Sequence, residues 1–196
     1  MSDAPFDPSG AVSFDLASGR VNVKDSSSRV LVPAESLCAL CEAAGEDATR
    51  SLGRAIGESV GRRALQGLVG AQTPNDRVNG VTLQRFVEFL AGEFAIAGLG
   101  TLGFERWGRA MLVMVDCSVP HAGLVGAVIE AALESSTGRS MRCVELANQG
   151  ERKRYLVASA STAERVRGEL AAGKAWAEVL VGLHAAESSD QARGEA

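Results

Sequence analysis

Three glycines, Gly53, Gly57 and Gly61, recur every four residues inside a stretch in which Ala48, Leu52, Ile56, Val60, Ala64 and Leu68 keep the same spacing. Residues four apart share one side of an α-helix, so residues 46–69 are predicted to form a long amphipathic helix with a glycine stripe along it. Each glycine inside a helix costs about 1 kcal/mol relative to alanine. Three are tolerated where something approaches closer than a Cβ allows, either a second helix or a ligand chain lying in a groove. Any fold for this chain must bring one of these to the stripe.

The flanking segments supply partners. Val12, Phe14 and Leu16 alternate with polar residues, 17–19 offers turn chemistry, and Val21 and Val23 resume the alternation. This predicts a hairpin, with a third short strand at 29–32. Pro33 stands where a helix over 35–44 can begin. After a loop at 70–80, Thr82 is the expected cap of a helix whose Leu83, Phe86, Val87, Leu90 and Phe94 form a broad apolar face. Strands over 101–117, turning at Gly108, precede an apolar helix at 122–136 closed by Gly138. Strands at 141–147 and 152–159 join at Asn148-Gln149-Gly150. Ser161 and Glu164 have capping-box spacing for a helix broken at Gly173, and Trp176, Val179, Leu180 and Leu183 mark a last amphipathic helix. The predicted class is α+β, an antiparallel sheet built from hairpins and packed against a layer of helices. One domain over 11–184 is expected, with disordered tails at 1–10 and 185–196.

At 196 residues and 46% hydrophobic content the chain can bury one substantial core. A net charge of −4 argues against a nucleic-acid partner bound through phosphate neutralisation. No apolar run approaches the ~20 residues of a membrane span. Residues 1–10 lack the basic start and apolar stretch of a secretory signal, so a cytoplasmic protein is expected and its four cysteines read as thiols.

Several short patterns match catalytic or ligand motifs but lack their context. Gly98-Leu99-Gly100-Thr101-Leu102-Gly103 fits the dinucleotide string, yet it follows a helix and enters a strand, the reverse of what a pyrophosphate requires. Gly57-Glu58-Ser59-Val60-Gly61 fits a nucleophile elbow, which needs a strand before the serine, and here the helical pattern runs straight through it. Asp116 with His121 or His184 would complete a triad only by default. Cys38 and Cys41 share a helix face without a second ligand pair. Cys117, His121, Cys143 and Glu151 are the candidate metal ligands, with buried strand cysteines the commoner explanation. Arg50, Arg54, Arg62 and Arg63 make one helix basic. Trp107, Trp176 and Tyr155 are too few for a base-stacking platform.

The run from Ser51 to Gly61, the Gly98-Leu99-Gly100 ending of an apolar helix, the strand closing at Cys117, the glycine-bearing helix after it and the hairpin from Arg142-Cys143 to Leu156 together resemble the 4-vinyl reductase domain. That domain is related in fold to the core subunits of TRAPP vesicle-tethering complexes, and the resemblance spans roughly residues 45–160. It implies an antiparallel sheet against helices, a homodimer and an apolar cavity. Members include sensory ligand-binding domains of bacterial regulators, proteins of bacteriochlorophyll synthesis, and TRAPP scaffolds that contact GTPases. Some sensory members hold zinc with a cysteine after the central strand and a cysteine pair on the last hairpin. Cys117 and Cys143 match the first two positions, and the third, near Gly150, is occupied by no cysteine, leaving Glu151 as an oxygen donor.

The leading expectation is a non-catalytic binding or assembly domain that dimerises and contacts a protein partner, without a cofactor. Its groove would be formed by Gly53, Gly57, Gly61, Phe86, Leu90 and Phe94. The alternative is a small-molecule or lipid sensor with an apolar pocket supported by zinc. An enzyme ranks behind both.

Overall fold

The computed structural model describes residues 11–23, 28–70, 80–107, 110–117, 119 and 121–184. Strands β1 (Val12–Asp15), β2 (Arg20–Val23) and β3 (Ser28–Arg29) form an antiparallel three-stranded sheet. The first turn closes because the Asp15 carboxylate accepts from the amides of Ala17 and Ser18 while Gly19 takes a positive φ of 65°. The third strand is shorter than its β-branched sequence predicts. Only Ser28 and Arg29 pair with β2, and Val30, Leu31 and Val32 run on, exposed, to Pro33.

Helix α1 (Ala34–Ala44) starts at Pro33 and ends at Gly45, and α2 (Glu46–Gly70) follows at once. The buried Thr49 hydroxyl donates to the Cys41 carbonyl across this corner. Helix α3 (Gly80–Ile96) begins two residues before Thr82, so that threonine is not its cap. It ends where Gly98 adopts φ 75° and the Leu99 amide reaches back to the Phe94 carbonyl.

A four-stranded antiparallel sheet follows, built from β4 (Thr101–Trp107), β5 (Ala110–Asp116), β6 (Arg142–Gln149) and β7 (Arg152–Ala158) in the order β4-β5-β7-β6. Helix α4 (Ala122–Thr137) connects the two hairpins. The His121 ring caps its start and Gly138 its end. Helix α5 (Ala160–Ala171) is capped by Ser159, two residues ahead of the predicted Ser161, because the Ser159 hydroxyl accepts from the Thr162 amide. A last helix, α6, spans 176–184. The predicted turn at Gly108, most of the 70–80 loop and both tails lie outside the described residues.

Alternation along β5 and β7 divides the sheet between two cores. Val113, Val115, Tyr155 and Val157 face the inner core, where α4 lies with Leu124, Val125, Val128 and Ile129 fully enclosed and α1, α2 and α3 contribute Cys41, Val60 and Phe94. Burying each of the larger aliphatic chains contributes about 1.5–3 kcal/mol. Leu112, Val144 and Leu156 face outward against Ala163 and Val166 of α5 and Val179, Leu180 and Leu183 of α6. The architecture is therefore α+β, as the patterning predicts, but the sheet carries helices on both faces. No helix among the described residues is long and apolar enough to cross a membrane.

Candidate functional site

The glycine stripe meets a helix of the same chain. Gly53 faces Leu124 and Ala127, Gly57 faces Val128 and Ala131, and Gly61 faces Ala132 and Ser135, so α2 and α4 run side by side in the same direction. A Cβ built on Gly53 would lie 2.7 Å from the Ala127 Cβ, and one on Gly57 would lie 2.9 Å from the Ala131 Cβ. Both are closer than real Cβ atoms approach. The three glycines are thus spent on backbone-to-backbone contact with α4. Leu90 and Phe94 are buried in the inner core and Phe86 is packed against it.

One edge of this seam is charged. The Glu130 carboxylate of α4, 5% exposed, accepts from Arg54 of α2 at 3.4 Å, from Arg142 of β6 at 3.1 Å and from the Cys143 amide at 3.1 Å. Glu134, one turn on, takes Arg54 at 2.9 Å, Arg142 at 3.1 Å and the Met141 amide at 3.1 Å. Burial pushes the Glu134 carboxyl up, but the Arg54 hydrogen bond, the Met141 amide and the charges of Arg54 and Arg142 outweigh it and hold the group below its ordinary 4.5. Arg54, part of the predicted basic helix face, therefore joins α2 to α4. Arg63 of the same helix pairs with Glu93 of α3 and donates to Ser59 at 2.8 Å.

At the other end of the inner core, polar groups gather beneath the chain that leads from β5 to α4. Lys153, which shares a face with Tyr155 and Val157 on β7, is fully buried. Its ammonium donates to the Gly150 carbonyl at 2.9 Å and lies 3.8 Å from the Cys117 sulfur, and no carboxylate accompanies it among the described ion pairs. The Cys117 thiol donates to the Val119 carbonyl at 3.2 Å, and the Tyr155 hydroxyl donates to the Ala122 carbonyl at 3.0 Å. Burial first, then the nearby Glu145, Cys117 and Cys143, push the Tyr155 phenol far above its ordinary 10.0, so it stays a donor. The Tyr155 hydroxyl and the Lys153 ammonium thus stand as polar groups at one end of an otherwise apolar core.

The four sequence-predicted metal ligands are not brought together as one set, although Cys117 and Glu151 are neighbours. Cys117 is hydrogen-bonded through its amide to the Glu151 carbonyl, whereas Cys143 lies opposite Val157 on β7. Six residues of strand at ~3.3 Å each put roughly 20 Å between the two positions. The His121 Nδ1 accepts from the Leu124 amide at 3.2 Å. Burial and then the Glu130 charge push the Cys143 thiol up, against thiolate formation. No group of three or more His, Cys, Asp or Glu able to hold a metal occurs among the described residues.

The elbow and dinucleotide strings resolve as local geometry. Ser59 lies in mid-helix, its hydroxyl occupied by Arg63, while Asp116 is paired with Arg152 at 2.8 Å. Gly100, at φ 95°, lies against the Asp116 carbonyl and closes a tight turn into β4. Lys153, Tyr155 and Glu130 are the site residues that sequence reasoning missed. Strand parity with Val157 is the signal that places the first two inside.

No family model and no curated protein matches the chain. Among solved structures, the crystal structure of the phenol-responsive sensory domain of the transcription activator PoxR with phenol superposes with a TM-score of 0.56, covering 82% of this chain and 90% of that one at 15% identity. At that identity the likeness is one of fold.

Proposed function

We propose that this protein is a small-molecule sensory domain that takes an apolar ligand carrying one hydroxyl into the inner core between the sheet and α1–α4. The observation that carries this reading is the correspondence of fold along nearly the whole length of a domain that responds to phenol. The buried Lys153 and Tyr155 support it. A lysine sealed in an apolar core with no counter-ion among the described residues is costly, and a ligand oxygen would give its third N–H an acceptor. Membership of the 4-vinyl reductase domain family is part of the proposal, since the resemblance includes sensory domains of bacterial regulators.

The test is a thermal-shift series on the full chain with phenol, toluene and cyclohexanol, backed by native mass spectrometry. Ligand at a hundred times its Kd adds about 2.7 kcal/mol, which for a chain of this size raises Tm by roughly 5–10 °C. Phenol is expected to act well below the concentration at which toluene does. Absence of a shift and of a bound mass with all three compounds rejects the reading.

The assembly reading keeps one specific observation. Phe14, Leu16, Val30, Leu31 and Val32 are 61%, 91%, 83%, 69% and 53% exposed around the N-terminal sheet, more apolar surface than one small region usually leaves open. We propose that this face joins two copies. Sedimentation equilibrium is expected to give a dimer for the wild type and a monomer for Leu16→Glu combined with Leu31→Glu. A wild-type monomer at all concentrations ends that reading.

A further inference from the structure

We propose a second site, for a small carboxylate, on the outer face of the sheet, where Arg154 is the anion-binding residue. Arg154 of β7 lines a cavity of about 130 Å³ together with Met114, Ala147, Gln149, Arg152, Lys153 and Trp176. Its guanidinium lies over the Trp176 ring, 4.6 Å from the centroid. Its Nε–H is buried and has no hydrogen-bond partner among the described residues. Buried donors are nearly always satisfied, so this one marks a place where an acceptor belongs.

The other two cations that line the cavity are already committed. Arg152 donates through Nε to Asp116 at 2.8 Å, and the Lys153 ammonium is held on the opposite face of the sheet by the Gly150 carbonyl. Stacking on Trp176 covers one face of the Arg154 guanidinium and leaves its in-plane edge, where Nε–H and an adjoining Nη–H match the two oxygens of a carboxylate. Charge decides between anions. One unpaired arginine balances a monoanion, whereas Asp116 and Glu151, which line the adjoining open cavity, disfavour a phosphate dianion. The volume is well under the ~300 Å³ at which drug-sized pockets begin, and Met114 and Ala147 give the wall an apolar part. A few-carbon or benzoate-like acid fits these terms. The site lies across the sheet from the proposed phenol chamber and does not depend on it.

The test follows the arginine Nε–H resonances of the full, isotope-labelled chain as sodium benzoate is added, with toluene and inorganic phosphate as parallel titrations. Benzoate is expected to move the Arg154 resonance saturably and toluene to leave it in place. Quenching of Trp176 in a Trp107→Phe background should report the same affinity, weakened about tenfold or more in Arg154→Met. A non-saturating response overturns the proposal, as does equal benzoate affinity in Arg154→Met. So does movement of the resonance by phosphate but not by benzoate. If Arg154→Met does not fold, the wild-type titration of benzoate against toluene decides alone. Because toluene binding in the inner core would leave Arg154 unmoved, the two sites fail separately.

Discussion

Gly57 of α2 and Gly168 of α5 both stand inside helices, on opposite sides of one sheet, and their surroundings are opposite too. A side chain at Gly57 would enter the backbone of α4 at Val128 and Ala132, whereas one at Gly168 would meet nothing within 4 Å. The inner layer is therefore fixed by backbone contact and has no slack at its α2–α4 seam. The outer layer rests on side chains such as Leu180 and Val166 and leaves Arg154 beside a cavity. A seam without slack can only move as a unit. Under the sensory reading, a ligand beneath α4 would shift α4 and α2 together.

Gly57→Leu is the largest expected break in this contrast. Overpacking a core costs about 1–3 kcal/mol where side chains can adjust, and here the obstacle is backbone, so a loss of several kcal/mol is expected. Urea denaturation followed by circular dichroism measures it. A midpoint within error of the wild type would mean that α2 and α4 are not in contact.

Glu130→Ala comes next, at roughly 3–5 kcal/mol, the usual cost of removing one member of a buried ionic group. Arg54 retains Glu134, but the Cys143 amide is left without its acceptor. The same network sets the acid limit. Glu134 titrates below its ordinary 4.5 in the folded chain, so its stabilisation is present above the unfolded value and is lost as pH falls through the folded one. Melting profiles should drop below pH ~4.5 in the wild type and drop less in Arg54→Met combined with Arg142→Met, which removes the guanidiniums that hold the value down. An identical acid slope in the two proteins would show that Glu134 is not held by them.

Lys153→Met sharpens the contrast from the other side. Replacing a buried charge that has no carboxylate partner among the described residues by a chain of similar shape is expected to leave stability unchanged or raise it by about 1–2 kcal/mol, while weakening phenol binding. A clear destabilisation would make Lys153 a structural residue and remove it from the ligand site.

How far the sequence reaches is visible at the same positions. The four-residue period shows both the α2 helix and its glycine face, because close approach is a local demand on each residue. It does not say that α4 runs parallel to α2, since that depends on β4 and β5 intervening. Tyr155 and Lys153 are legible by parity with Val157, but Arg152 and Arg154 on either side disguise the segment as a solvated strand. Cys117 and Cys143 look like a pair until register is counted outward from Gly150, when one falls beside the turn and the other opposite Val157. The stacking of Arg154 on Trp176 has no local signature. It arises where α6 crosses the sheet, a tertiary fact that neither segment encodes alone.

Gly168→Ala is the smallest effect and the most direct control. The residue is in a helix, is not among the glycines with positive φ, and has open space where a Cβ would go. Alanine then removes unfolded-state freedom and improves helix propensity without a steric cost, a gain of about 0.4–1 kcal/mol. The substitution is the same class of change that ruins the seam at Gly57, so the sign alone is informative. A raised urea midpoint beside the loss in Gly57→Leu would establish that backbone contact, and not glycine content, distinguishes the layers. A destabilised Gly168→Ala would mean that α5 has a neighbour pressed against it, and the outer layer would have to be regarded as a second closed interface.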